Sequence, residues 1–204
     1  MATTAKEDTV LKSLRIALGD AGVQDAPDTL AYFANDVYRG GGLPLCVVRP
    51  ATVEALQDAV RICAAAGVAM VPRGGGASYT DAYLRPEGGH VLIDTGALDT
   101  IEIDEFNAIV TCGAGVTWAA LKTALDARGL RTPFWGPFSG IAATVGGSMS
   151  QNTLSHGSTA HGISAQSVLS MDVVLASGEV LTTSSSKAMP QGVTFAQSGQ
   201  ALSI

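Results

Sequence analysis

The stretch that decides the fold is "LCVVRPATVEALQDAVRICAAAGVAMVPRGGGAS", Leu45 to Ser78. Residues 45–49, "LCVVR", form an apolar run closed by Pro50 and read as a strand. Thr52 is an N-cap residue type, and Val53, Leu56, Val60 and Cys63 then recur at helical spacing up to Gly67, a favoured C-terminal stop. "VAMV" supplies a second strand, so residues 45–71 predict a strand–helix–strand crossover unit. Directly after it comes "PRGGGAS". Successive glycines after a strand can take positive φ and turn their main-chain N–H groups into one concavity, a nest for phosphate oxygens, with Arg73 able to add charge. The same residues also fit a tight turn that binds nothing.

Working outward, "HVLID" at 90–94, "TIEID" at 100–104 and "AIVTC" at 108–112 are three more short strands, the last two forming a hairpin across "EFN". "GAGVTWAALKTALDARG" gives a strand-to-helix turn, a cap at Thr117 and a stop at Gly129. It is not a dinucleotide fingerprint, because Trp118 stands where the third glycine belongs, and no P-loop motif occurs. From Thr132 to Gly162 the chain is rich in Gly, Ser, Thr and Pro without regular periodicity, yet Phe134, Trp135, Phe138, Ile141 and Val145 argue against disorder. "SVLSMDVVLASGEVLTT" then predicts two strands around a tight turn at Ser177-Gly178. Past Ser184 no apolar period is sustained. At the other end, residues 1–20 read as a helix with Val10, Leu11, Leu14, Ala17 and Leu18 on one face.

Composition narrows the function. With 204 residues, of which 47% are hydrophobic, the chain can build one domain or two small lobes. Its net charge is −6 and its twelve basic residues are scattered, which excludes a phosphate-tracking surface for nucleic acid. No apolar stretch is long enough to span a bilayer, and the N-terminus lacks a signal layout, so a cytoplasmic location is expected. Cys46, Cys63 and Cys112 lack metal or disulfide spacing and read as buried thiols. His156 and His161, five apart in a loop without a third ligand, do not make a metal site; no metal is expected. Trp118 reads as core, while Trp135 fits either core or cofactor stacking. Asp36 in "NDVYRG" fits a plain turn or an organiser of the entry loop. No Ser-His-Asp or paired-carboxylate layout supports hydrolysis.

A second small-residue segment, "SGIAATVGGSMSQN", could let a flat ligand lie against the main chain, with hydroxyls and amides at its edge. A phosphate-type loop and a ring-type wall together suit a large two-ended nucleotide such as FAD. Taken with "GAGVTWAALKTALDARGL" and "VLSMDVVLASGEVL", and with the crossover unit, this segment resembles the FAD-binding domain of the vanillyl-alcohol oxidase and p-cresol methylhydroxylase family. The resemblance covers roughly residues 30–183 in order and spacing. Its flavour is that of FAD-linked D-lactate and glycolate dehydrogenases that hold the cofactor non-covalently.

The resemblance implies an α+β fold of two subdomains with FAD extended between them. The expected layout is a helical lead-in over 1–42, subdomains over about 43–112 and 113–184, and an irregular or truncated tail over 185–204. Carried over by motif, Arg73, Gly74, Gly75, Gly76, Ala77 and Ser78 would form the diphosphate loop. Ser139, Gly140, Thr144, Gly146 and Gly147 would line the middle of the cofactor, Asn152 would lie near the isoalloxazine, and Gly162 and Ile163 near the adenine. Two departures bear on attachment. Where some relatives tether flavin through a histidine this chain has Ala77, and where others use a cysteine it has Ala142, so dissociable FAD is expected. The activity implied is oxidation of an alcohol or 2-hydroxy acid by hydride transfer to FAD, in a small-molecule oxidoreductase. The substrate domain and a later glycine-rich FAD segment of the family are not recognisable here. The expectation is therefore a C-terminally truncated chain with no assigned catalytic residue, whose substrate half is a missing domain or a partner chain. The rival readings are a non-catalytic FAD- or nucleotide-binding module and an inactive fragment.

Overall fold

The computed structural model describes residues 2–133, 136, 140–183 and 193–195. The chain divides into two compact units, residues 1–97 with 174–180, and 98–173 with 181–204.

In the first unit, helix α1 (Ala2–Leu18) buries Val10 and Leu14, as its apolar spacing predicts. Strand β1 (Val23–Gln24) and helix α2 (Pro27–Phe33) follow, the latter opened by a proline at its first position, where no amide hydrogen is needed. Strand β2 (Cys46–Val48) leads to helix α3 (Val53–Ala66). Thr52 caps α3 by accepting from Ala55 N at 3.1 Å, and Gly67 ends it at φ 60°, ψ 38°, a left-handed conformation that costs glycine no Cβ clash. Strand β3 (Met70–Arg73) and strand β4 (Val91–Asp94) complete a sheet in the order β1-β2-β4-β3. β2 and β3 both run parallel to β4, with Val47 and Val71 each opposite Leu92, while β1 runs antiparallel to β2. The crossover therefore skips one position, and β4 is slotted between its two strands. Val91, Leu92 and Ile93 are all buried, as expected for a parallel strand covered on both faces. Val10, Leu14, Val23, Cys46, Val48, Val60 and Cys63 join Val91 and Ile93 in one core. The N-terminal residues are thus part of this unit rather than a lead-in to it.

In the second unit, strands β5 (Ile101–Asp104) and β6 (Ile109–Cys112) form the expected antiparallel hairpin, with Ile103 opposite Val110. Helix α4 (Trp118–Asp126) is capped by Thr117, which accepts from Ala120 N, and ends before Gly129 at φ 67°. Two short helices, α5 (Val145–Ser150) and α6 (Ser158–His161), lie in the segment expected to lack regular structure. Adjacent glycines hide α5 from a propensity reading, because glycine is a poor helix former. Strand β7 (Val168–Val174) and strand β8 (Val180–Thr182) join this unit's sheet, while the turn between them at Ser177-Gly178, with Gly178 at φ 80°, is counted with the first unit. A final strand, β9 (Val193–Phe195), falls in the tail expected to be irregular and pairs antiparallel with both β6 and β7. The sheet order is β5-β6-β9-β7-β8. Val110, Cys112, Val116, Trp118, Leu121, Leu125 and Val145 form its core. Because β6 bonds to β9, the β5–β6 hairpin belongs to the second unit.

Candidate functional site

The glycine loop sits at the carboxyl end of β3, a placement that ligand loops of parallel sheets commonly take. Gly74 and Gly76 are half-buried, Gly75 exposed, and Gly76 lies at φ 65°. Among the described residues, the amides of Gly74, Gly75, Gly76 and Ala77 donate no hydrogen bond to any main-chain or side-chain acceptor. Four adjacent donors without partners are the kind of group that an anion or water must answer.

Arg73 does not reach outward. It is only 7% exposed, donates from Nη1 to Phe33 O at 3.0 Å, and packs its guanidinium carbon 4.9 Å from the ring centres of Phe33 and Tyr83 and 5.5 Å from that of Tyr32. Tyr83, buried beneath the loop, donates its hydroxyl to Gly76 O at 2.7 Å. Burial pushes the Tyr83 phenol up from its ordinary value, against a smaller opposing effect of Arg73, so it remains a donor at neutral pH. Ser78 closes the loop with Thr80, their hydroxyls 2.8 Å apart. Sequence reasoning missed Tyr83, Tyr32 and Phe33, since no local pattern ties them to Arg73.

Asp36 takes the plain-turn role. Its Oδ1 accepts from Tyr38 N at 2.8 Å and Arg39 N at 2.7 Å, closing a tight turn. Burial alone would raise its pKa, but these two amides, a hydrogen bond with Asp81 and the charge of Arg39 together hold the carboxyl below its ordinary value. Arg39 then bridges to Asp81, which itself sits at φ 55°.

The small-residue segment belongs to the second unit. Thr144 caps α5 by accepting from Gly147 N at 3.2 Å and bridges Thr117. Val145 N donates to Val116 O at 2.8 Å, Gly146 N to Ala114 O at 3.0 Å and Ala119 N to Gly140 O at 2.9 Å. The "GAG" turn and the "TVGG" segment are therefore laced together main chain to main chain. A Cβ at Gly146 would stand 2.6 Å from Ala114 Cβ and 2.8 Å from Ala114 O, so this glycine is required by packing within the protein. Gly147 is exposed, and a Cβ there would meet only Thr144 Oγ1 at 3.1 Å. Trp118 is core, 3% exposed, with its indole N–H on Ser148 Oγ at 2.7 Å. Asn152, exposed, follows α5 at φ 47°, and Gly162 ends α6 at φ 81° just before Ile163. Ser139 and Trp135 lie outside the described residues. Ala77 is half-buried and Ala142 exposed, and neither side chain has an atom that could bond covalently to a flavin. His156 rests its ring Nδ1 3.2 Å from Gly136 O, and His161 is exposed. Among the described residues no group of three His, Cys, Asp or Glu could hold a metal, and no helix is long and apolar enough to cross a membrane.

A family model described as "FAD binding domain" matches residues 44–184. The chain belongs to this family. The FAD-binding domain is 33% identical over 141 residues to the xylooligosaccharide oxidase of Thermothelomyces thermophilus, covering 69% of this chain and 28% of that protein. It is 29% identical over 153 residues to the glycolate oxidase subunit GlcD of Bacillus subtilis, covering 75% of this chain and 32% of that one. Among solved structures, p-cresol methylhydroxylase with substrate bound superposes with a TM-score of 0.76 at 18% identity, over 94% of this chain and 43% of that one. That last likeness shows the fold, the α+β FAD-binding fold of the p-cresol methylhydroxylase type. The chain spans about a third of the length of the two relatives it matches in sequence.

Proposed function

We propose that this chain holds FAD non-covalently as the cofactor half of a flavin-dependent oxidoreductase that oxidises an alcohol or 2-hydroxy acid carbon. The observation that carries this reading is the run of four amides, Gly74 to Ala77, without a partner among the described residues, after β3 in a chain of the FAD-binding family. They would take the diphosphate, with Arg73 and Ser78 bounding the loop. Gly140, Thr144, Gly147 and Asn152, together with Ser139, Gly146, Gly162 and Ile163, would contact the remainder of the cofactor or support those that do. FAD, when bound, supplies the two-electron acceptor chemistry, and the protein supplies binding and orientation. Alanine at 77 and at 142 favours a dissociable complex. No side chain here is assigned as a general base. The substrate side of the reaction would come from a further domain or a separate chain, and the protein would work in the cytoplasm.

The test is spectroscopic. The chain purified with added FAD should carry a flavin absorption band, and acid precipitation should release the colour to the supernatant. Colour held in the pellet would refute dissociable binding, and a colourless protein would refute the cofactor assignment. Gly75→Val should abolish the band by filling the nest.

A further inference from the structure

The guanidinium of Arg73 is a buried cation with no carboxylate within 4.0 Å among the described residues. Its charge is answered by three ring faces and one carbonyl oxygen. It also touches the loop that follows it. A Cβ at Gly76 would fall against Arg73 Nη2, 2.7 Å from Nε and 2.9 Å from Cζ, so the bare Cα of Gly76 faces the Nε–Nη2 edge of the guanidinium. Tyr83, whose ring packs on the same guanidinium, donates its hydroxyl to the Gly76 carbonyl, and Thr95 Oγ1 lies 3.3 Å from Arg73 O.

We propose that Arg73 is a positioning residue: caged by Tyr32, Phe33 and Tyr83, it clamps Gly76 from below and holds the Gly74–Ala77 amides in place without touching the bound anion. Three consecutive glycines lose more conformational freedom on ordering than any other residue would, so a loop made of them binds poorly unless something external fixes it. A flat guanidinium can stack on rings with its faces, donate from Nη1 to Phe33 O and set its Nε–Nη2 edge against Gly76 at once. A lysine ammonium offers a point charge and no plane. This inference rests on the cofactor reading above, and its test separates the two.

Arg73→Lys keeps the charge and removes the planar fork, Arg73→Met removes both, and Tyr83→Phe removes the hydroxyl's hold on the Gly76 carbonyl without changing charge. FAD affinity, read by quenching of flavin fluorescence, is expected to fall at least tenfold in both Arg73 variants and several-fold in Tyr83→Phe. The ratio of variant to wild-type Kd should stay constant between 50 and 500 mM salt, and affinity for riboflavin, which lacks phosphate, should not change. In the protein without FAD, the backbone order parameters of Gly74–Ala77 should drop from about 0.85 to below about 0.6 in Arg73→Lys. A lysine variant within twofold of wild type beside a methionine variant that loses affinity only at low salt would overturn the clamp and make Arg73 a charge partner. Unchanged order parameters would also overturn it. Wild-type protein that binds no FAD would sink the cofactor reading, while the order parameters would still judge the clamp; riboflavin affinity that falls in step with that for FAD would overturn the clamp, because the loss would not lie at the phosphate loop. Should the Arg73 variants fail to fold, Tyr83→Phe with wild-type affinity and a rigid Gly76 amide overturns the proposal.

Discussion

Two neighbouring glycines should respond to the same substitution in opposite ways. In Gly146→Ala the new methyl group would stand 2.6 Å from Ala114 Cβ, 2.8 Å from its O and 2.9 Å from its Cα. Ala114 cannot retreat cheaply, because Gly113 N is bonded to Thr100 O at 2.9 Å and Gly115 N to Leu98 O at 2.8 Å. Overpacking of this kind costs about 1–3 kcal/mol, and stretching the Gly146–Ala114 hydrogen bond adds ~1 kcal/mol. The better helix propensity of alanine returns roughly 1 kcal/mol. The net loss is about 2 kcal/mol, or about 4–8 °C in Tm for a chain of this size. Gly147→Ala gains the same propensity and meets only Thr144 Oγ1 at 3.1 Å, so its stability should be unchanged or slightly raised. Urea unfolding of both variants without FAD gives the comparison. Equal shifts in the two variants would refute the claim that contact with Ala114 is what demands glycine at 146. With FAD added, Gly147→Ala should weaken binding at intact stability if its exposed surface lines the cofactor.

Two further expectations concern buried groups. His90 is 2% exposed and its Nδ1 has no hydrogen-bond partner among the described residues; burial first, and Arg85 second, push its pKa below 6.5, against a hydrogen bond to Gly88. The folded state then resists protonation that the unfolded chain accepts. The stabilisation is complete above about pH 6.5 and is lost as pH falls through that value, by at most about 1.4 kcal/mol per pH unit for one proton. Urea midpoints measured from pH 7.5 to 5 should fall more steeply in wild type than in His90→Leu, and parallel profiles would remove His90 from the account. The three thiols are buried, and burial raises Cys46 to about 12, Cys63 to about 11 and Cys112 to about 12. A disulfide reagent at pH 8 should modify none of them in the native protein and all three in urea, and a thiol that reacts on mixing contradicts that burial.

What the sequence alone settled is what is written within a few residues. Thr52 and Gly67 bracket α3, and Thr117 and Gly129 bracket α4, because a cap is a hydrogen bond between near neighbours. The β5–β6 hairpin and the turn at Gly178 are equally local, and the family motifs carried the cofactor class. Tertiary structure alone decided which strand lies beside which. β4 enters between β2 and β3, and β9, three residues in an unpatterned tail, occupies the middle of its sheet, since pairing depends on edges left open by distant segments. It also decided what the small residues are for. Arg73 is answered by Phe33, forty residues earlier, and Gly146 by Ala114, thirty-two earlier, and contacts that far apart leave no spacing to read. Glycine types look alike in a sequence. Only the neighbour that fills the missing Cβ's place tells a packing glycine from one that leaves room for a ligand.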